Sequence, residues 1–276
     1  MGSLVETSHM PLGFKYDAKP GVNFAANHMS LPVIIVCFYL MFIYSFSKYM
    51  NRPFIKPFQL KMALIYWNAS LSLFSFIGSI TTTFGLLNII NNSESIKETI
   101  CMDPSTSWGT GWNGLWVQLF IFSKIPELGD TFFIIARKRP LLFLHWYHHV
   151  TVLLYCWHSF ATGAPQALYF VAMNYSVHTI MYGYYCLMCL KMKPKWLPPI
   201  VITFAQISQM IVGTTIQLLS SYYYIYPDNT SCNLNGSNIF WGALMYASYF
   251  GLFTNFAIKR YYNVSKSLKI EPKKIV

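Results

Sequence analysis

The sequence is poor in charged residues, which make up only 11% of its 276 residues. Soluble domains carry about 25%, and a chain of this length with so few charges cannot cover itself with a water-facing surface. This shortage excludes an ordinary soluble enzyme, a disordered tail protein and a repeat solenoid. Acidic residues are the scarcest charged type, with nine against 20 Lys and Arg, so the formal net charge is +11.

Hydrophobic residues make up 54% of the chain, and 18% of it is aromatic. A helix needs about 20 apolar residues to cross a bilayer. Uncharged stretches of that length recur, and they are too long and too uniform for barrel strands. They predict an all-α multi-pass membrane protein with seven transmembrane helices. The predicted spans are roughly 31–50, 63–88, 111–135, 141–160, 167–189, 197–224 and 239–258, with a turn at Gly163-Ala164-Pro165.

The basic residues predict the orientation of these helices, because cytosolic loops are enriched in Lys and Arg. Sixteen of the 20 lie at the end of the first span or after the first, third, fifth or last span. The segment 1–30 is therefore expected in the lumen, the helical domain over 31–258 in the membrane, and the tail 259–276 in the cytosol. The positive charge is thus a signal of topology, and no nucleic-acid partner is expected.

The last residues of the chain point to a membrane compartment. Lys273-Lys274-Ile275-Val276 matches a dilysine retrieval address of the endoplasmic reticulum, which is read only from the cytosol. The first 30 residues lack the basic-then-apolar pattern of a cleavable signal peptide. Glycosylation sequons at Asn91, Asn229 and Asn235 fall on the predicted lumenal side. We therefore expect a multi-pass protein of the endoplasmic reticulum membrane.

Cys101 and Cys232 are the two cysteines outside the predicted spans, and both fall in lumenal loops. Because that compartment is oxidising, we expect a disulfide between them, with two free thiols as the alternative. The other four cysteines lie within spans, where a thiol behaves as a small apolar group.

Polar and ionisable residues cluster in four neighbouring spans, where such groups are costly and usually functional. At the helical period they form one polar face on each span. Four facing polar helices favour a shared interior cavity in which the groups satisfy one another. The four sets are Lys124, Glu127, Asp130 and Thr131; His145, His148 and His149; Asn174, His178, Tyr182 and Tyr185; and Thr203, Gln206 and Gln209.

Most of these polar groups are predicted to lie in the cytosolic half of the bilayer. His148 follows Pro140 by eight residues, which places it about 12 Å inside the cytosolic edge. The lumenal halves of the spans are nearly all apolar. Spans 2–7 are therefore expected to enclose a tunnel that opens to the cytosol and ends blind. Such a tunnel suits a substrate with an anionic head and an acyl tail.

Four motifs in this order resemble those of the very-long-chain fatty acid elongase (ELO) family, the membrane 3-ketoacyl-CoA synthases of the endoplasmic reticulum. Lys124-x-x-Glu127-x-x-Asp130-Thr131 is similar to KxxExxDT, and His145-Trp146-Tyr147-His148-His149 is similar to the HxxHH box. The stretches 178–185 and 203–209 are similar to HxxMYxYY and TxxQxxQ. The Trp-Tyr filling of the histidine box is similar to the branch that acts on saturated and monounsaturated chains.

The resemblance implies a condensation of long-chain acyl-CoA with malonyl-CoA to 3-ketoacyl-CoA, with release of CO2 and CoA. No cofactor and no metal are implied beside these two substrates. The expected partners are the lipid bilayer and the reductase and dehydratase enzymes of the elongation cycle. The resemblance does not decide whether the chain forms a homo-oligomer.

The resemblance also implies roles for single residues. His148 would be the nucleophile that forms an acyl-imidazole, whereas Cys156 lies too far along the helix for proton transfer with the histidines. The groups that would orient His148, move protons or stabilise negative charge are His145, His149, Asp130, Asn174 and His178. The substrate-binding residues would be Lys124, Glu127, Tyr182, Tyr185, Gln206, Gln209, Arg137, Lys138, Arg139, Lys193 and Lys195. Of these, Lys124 would pair with Glu127 or Asp130, and the loop cations would hold CoA phosphates.

Two other functions use some of the same features. A di-iron membrane desaturase or hydroxylase also carries HxxHH boxes, but it needs more histidine ligands than the seven in this chain. A seven-span transporter or receptor could use inward-facing histidines for proton coupling. The predicted polar cluster occupies only one half of the membrane, so it provides no path across it.

Overall fold

The computed structural model describes residues 14–227 and 231–262. Within these ranges the chain is helical, and its one β pairing is an isolated bridge between Asp17 and Thr110. The Lys273-Lys274 pattern and the sequon at Asn229 lie outside the described residues.

The helices in chain order follow the predicted segments closely. They are α1 Lys19–Asn27, α2 Ser30–Met50, α3 Lys61–Asn92, α4 Ile96–Cys101, α5 Pro104–Ser107, α6 Gly111–Glu127, α7 Gly129–Ala136, α8 Phe143–Ala161, α9 Ala167–Cys189, α10 Pro199–Ile225 and α11 Gly236–Ala257, with a final π-helical turn Ile258–Tyr262. By length and apolar composition, α2, α3 and α10 could each cross a membrane. The count of seven spans stays a prediction.

The third predicted span is not one helix. Pro126 lies in the last turn of α6, and Leu128 separates α6 from α7. Proline has no N–H group and its ring clashes with the preceding turn, so it interrupts helical hydrogen bonding. The interruption divides the predicted polar face of residues 124–131 between two helices. Lys124 and Glu127 belong to α6, whereas Asp130 lies in the first turn of α7.

Helix α3 packs along α9, and small residues allow the two backbones to approach closely. A Cβ atom on Gly78 would lie 2.6 Å from atoms of the Tyr175 ring, so this position requires glycine. The Ser79 and Ser176 hydroxyls are hydrogen-bonded at 2.7 Å across the same interface. This pair of helices forms one wall of the site described below.

The largest buried apolar cluster joins α1, α6, α8 and α9 with the loop before α6. Two of its tryptophans keep their polar edge satisfied, as buried indoles require. Trp108 Nε1 donates to the Ala164 carbonyl at 2.9 Å, and Trp157 Nε1 donates to the Ala25 carbonyl at 3.0 Å. This cluster fixes α8 against α1 and α6 on the C-terminal side of the histidine box.

Cys101 and Cys232 are joined by a disulfide, with 4.4 Å between their Cα atoms. The bond ties the end of α4 to the segment that precedes α11. The Asn233 backbone N–H reinforces this link by donating to the Cys101 carbonyl at 3.1 Å. The predicted disulfide is therefore confirmed. The remaining cysteines are free thiols: Cys37, Cys156, Cys186 and Cys189.

The turn between α8 and α9 contains Gly163-Ala164-Pro165, at the position that the sequence predicts. Gly163 has a φ of 61°, a left-handed conformation that glycine adopts without steric cost. The turn reverses the chain, so that the histidines of α8 and the polar residues of α9 can face a common interior.

Candidate active site

The histidine box lies in the first two turns of α8, where i, i+3 and i+4 spacing places the three rings on one side of the helix. The ring centroids of His145 and His149 are 4.4 Å apart, and those of His148 and His149 are 5.7 Å apart. His149 is only 7% exposed. The rings therefore form a contiguous imidazole cluster that is largely withdrawn from the surface.

His148 has a ring nitrogen that is both fully buried and unpaired, which is true of no other histidine in the described part of the chain. Its Nδ1 atom is buried and has no hydrogen-bond partner among the described residues. The ring packs against Tyr249 of α11 at 4.9 Å, and the Tyr249 hydroxyl donates to the His148 carbonyl at 3.1 Å. Buried polar atoms are nearly always paired, so this nitrogen is available to a ligand.

A buried ion pair lies where α6 faces α9. Lys124 is 2% exposed, and its Nζ atom is 2.7 and 3.0 Å from the two Glu127 oxygens. It also donates to Asn174 Oδ1 at 3.3 Å, and the Ser123 hydroxyl donates to Glu127 at 2.8 Å. His178 Nδ1 lies 3.9 Å from the second Glu127 oxygen. Lys124 thus pairs with Glu127, the first of the two partners proposed from the sequence.

Asp130 has other partners than the histidines that the sequence analysis expects. Its two oxygens accept hydrogen bonds from Trp67 Nε1 and from the Tyr182 hydroxyl, both at 2.6 Å. The carboxylate therefore links α7 to α3 and α9. The neighbouring Thr131 is the residue that reaches the histidine box, with its hydroxyl 3.0 Å from His145 Nε2.

Other predicted substrate-binding residues lie outside the imidazole cluster and the buried ion pair. Gln206 contacts the Met181 sulfur at 3.5 Å, and Gln209 lines a cavity of about 340 Å³ between α3, α9 and α10. Tyr185 is 44% exposed. The basic residues of the two predicted cytosolic loops are also exposed: Arg137, Lys138, Arg139, Lys193 and Lys195.

Two of these basic residues line a second cavity. Lys138 and Arg139 border a space of about 380 Å³ between the end of α2 and the start of the segment that leads into α8. Ser47 and Asn51 contribute polar atoms from the α2 side. The cavity is a basic recess beside the histidine box helix, on the side that the sequence predicts to be cytosolic.

Several residues of the site could not be recognised from the sequence. Trp67, Tyr39 and Tyr249 each donate to or contact a predicted site residue, yet each belongs to a different helix outside the four polar spans. Aromatic residues are common throughout membrane proteins, in lipid belts as well as in cores. Their positions in the sequence therefore carry no signal that separates a site residue from a belt residue.

Within the described ranges, no three side chains of His, Cys, Asp or Glu converge as the ligands of a metal ion would. The donors of the site instead pair with one another, as in Lys124 with Glu127 and Tyr182 with Asp130. This arrangement gives no support to the di-iron alternative.

Comparison with known proteins identifies relatives over most of the chain. Residues 24–269 match the sequence model of the family described as ELO: GNS1/SUR4 family. "Very long chain fatty acid elongase 6" of Drosophila melanogaster is 39% identical over 224 residues, which cover 81% of this chain and 69% of the relative. The Mus musculus protein of the same name is 38% identical, covering 84% of this chain and 85% of the relative. "Very long chain fatty acid elongase 3" of Homo sapiens is 37% identical, with coverages of 84% and 82%.

The substitution Lys124→Met is expected to lower the free energy of unfolding by about 3–5 kcal/mol, because it leaves the Glu127 carboxylate buried without its partner. The double substitution Lys124→Met/Glu127→Gln should recover most of this loss. Thermal and denaturant unfolding of the purified protein in detergent micelles measure both effects.

The matched control is Lys61→Met, which removes an exposed lysine at the start of α3. Its effect should stay within about 0.5 kcal/mol of wild type. A Lys124→Met protein as stable as the Lys61→Met protein would show that the buried ion pair does not stabilise the fold.

Proposed function

The chain belongs to the ELO family, and from that premise we infer that it is a fatty acid elongase, a 3-ketoacyl-CoA synthase of lipid biosynthesis. The observation that carries this inference is the family match over residues 24–269, together with relatives named as very long chain fatty acid elongases. The reaction joins an acyl-CoA to malonyl-CoA and gives 3-ketoacyl-CoA, CO2 and CoA. The family resemblance seen in the four motifs is thereby confirmed.

For the first half of the reaction we propose that His148 is the nucleophile. An imidazole nitrogen attacks the thioester carbonyl of acyl-CoA, a carbon–nitrogen bond forms, the carbon–sulfur bond breaks, and CoA leaves. The support is the buried and unpaired Nδ1 atom of this residue beside two further imidazoles. The His149 ring neighbours the His148 ring, and the His145 ring neighbours that of His149. We assign these two residues to orienting the nucleophile and to passing a proton to the departing thiolate.

In the second half, malonyl-CoA loses CO2, and the electrons of the broken carbon–carbon bond form an enolate. The enolate carbon attacks the acyl carbonyl, the carbon–nitrogen bond to His148 breaks, and the free imidazole returns. Negative charge develops on oxygen in this step, and fixed donors lower its free energy. Asn174 and His178 lie on α9 at the buried ion pair, Asn174 next to the Lys124 ammonium and His178 next to Glu127, and this position supports their assignment to this task.

The substrates account for the remaining features without a further cofactor. The basic recess lined by Lys138 and Arg139 supports a site for CoA phosphates at the cytosolic mouth, as cations bind phosphate oxygens. Beyond the histidine box, α8 continues with buried apolar residues such as Leu153, Trp157 and Phe160. We propose that the acyl tunnel enclosed by spans 2–7 continues towards the lumen along this apolar part of the helices, beside the packed cluster that contains Trp157 and Phe160.

We further propose seven spans in the endoplasmic reticulum membrane, with a lumenal N-terminus and a cytosolic C-terminus. The disulfide between Cys101 and Cys232 supports an oxidising compartment on the side of α4, whereas the basic loops lie at the opposite helix ends. The same cytosolic face would meet the reductase and dehydratase of the elongation cycle, which consume the product.

Protease digestion of intact microsomes tests this orientation. An epitope tag after residue 276 should be removed by added protease, while a tag before residue 1 should be protected until detergent opens the vesicles. Protection of the C-terminal tag together with loss of the N-terminal tag would reverse the proposed topology.

The substitution His148→Ala should reduce incorporation of radiolabelled malonyl-CoA by at least about a thousandfold, because it removes the nucleophile. The control is His158→Gln on the same helix, where the His158 ring lies 3.4 Å from the Ser237 hydroxyl and away from the imidazole cluster. This variant should keep wild-type activity. Comparable activity in the His148→Ala protein would refute the assigned nucleophile.

A further inference from the structure

Helix α2 makes one buried polar contact with the interior. Most of its residues face outward, including Phe38 and Tyr44, and its four buried residues are Pro32, Val36, Tyr39 and Met50. Tyr39 is 5% exposed, and its hydroxyl lies 2.6 Å from Thr131 Oγ1 on α7. A tyrosine at this depth with so short a hydrogen bond is held in one orientation.

Thr131 connects Tyr39 to the histidine box. It has no exposed surface, and its hydroxyl also lies 3.0 Å from His145 Nε2. The His145 ring in turn contacts the His149 ring, whose neighbour is His148. A continuous chain of contacts therefore leads from α2, through Tyr39 and Thr131, to the imidazole cluster.

The two hydroxyl protons determine the direction of the hydrogen bonds between Tyr39, Thr131 and His145. If the Tyr39 hydroxyl donates to Thr131, the Thr131 hydroxyl donates to His145 Nε2, and both protons are used. In the opposite direction the Tyr39 proton would have no acceptor, because its hydroxyl contacts no other polar atom in the described part of the chain. A buried O–H without a partner costs free energy. The first direction is therefore favoured, and it makes Nε2 of His145 an acceptor, with its proton on Nδ1.

We propose that Tyr39 is a positioning residue for the condensation, which fixes the ring orientation and the proton position of His145 through the Thr131 hydroxyl. The proposal rests on the proposed function and extends it to α2, a helix outside the four polar spans. Tyr39 does not touch the reacting atoms. It acts on them by holding one member of the imidazole cluster in the form that the chemistry needs.

The substitution Tyr39→Phe tests the proposal, because it removes one oxygen and leaves the ring in place. The Thr131 hydroxyl then loses its fixed donor and can turn either way towards His145. We expect kcat to fall about tenfold, the rate equivalent of one lost buried hydrogen bond. KM for acyl-CoA and for malonyl-CoA should stay at wild-type values, because substrate contacts are unchanged.

Tyr44→Phe is the matched control, since it removes the same atom from an outward-facing residue of α2 that is 70% exposed. It should keep wild-type kcat. Wild-type condensation is measured first, so a failure of the proposed function is recognised before any variant is compared. Given an active wild type, equal kcat values for Tyr39→Phe and Tyr44→Phe overturn the proposal.

Changes at Thr131 supply a second test that does not depend on the tyrosine variant. Thr131→Val should lower kcat as much as Tyr39→Phe or more, and Thr131→Ser should restore it, because serine keeps the hydroxyl. Residues in one chain of hydrogen bonds have non-additive effects, so Tyr39→Phe/Thr131→Val should be no slower than Thr131→Val alone. Losses that multiply, or a failure of serine to restore kcat, overturn the proposal.

Discussion

The structure depends on one constraint: polar groups buried among membrane helices must satisfy one another, because no water is at hand to pair with them. The polar side chains in the first turn of α7 are paired in this way. Asp130 accepts hydrogen bonds from Trp67 of α3 and Tyr182 of α9, while Thr131 contacts Tyr39 of α2 and His145 of α8. Two adjacent residues thus join four other helices, and the interruption at Leu128 allows them to do so.

The same constraint separates the supporting groups of the site from the reacting one. Lys124 and Glu127 are paired with each other and with groups from α6 and α9, so their charges are neutralised where they lie. The His148 Nδ1 atom is the exception within the imidazole cluster, since it is buried and unpaired. The ion pair is therefore a supporting element of the site, whereas the buried and unpaired Nδ1 atom of His148 is the atom with which an approaching ligand can pair.

Sequence periodicity predicted those parts of the molecule that depend on single helices. The three histidines share a face because helical spacing requires it, and Lys124 meets Glu127 three residues along for the same reason. The disulfide partners were the two cysteines outside the spans. In each case the local pattern determines the contact.

Contacts between helices far apart in the sequence were not predictable in this way. Nothing in the apolar runs that contain Trp67 and Tyr39 distinguishes them from aromatics that face lipid, such as Tyr44. The division of the third span also altered the expected partners of Asp130, although Pro126 was visible in the sequence. The partners that Asp130 gains depend on which helices surround the interruption between α6 and α7, and packing determines this.

We propose that a covalent acyl-enzyme forms on the imidazole cluster before malonyl-CoA reacts. Incubation of the purified protein with acyl-CoA alone, followed by intact-mass measurement and peptide mapping, tests it most directly. If the acyl-enzyme forms, about one equivalent of CoA is released and a single acyl adduct is found on the peptide at His148. An adduct on another side chain, or no adduct from a protein that is active when malonyl-CoA is added, would contradict it.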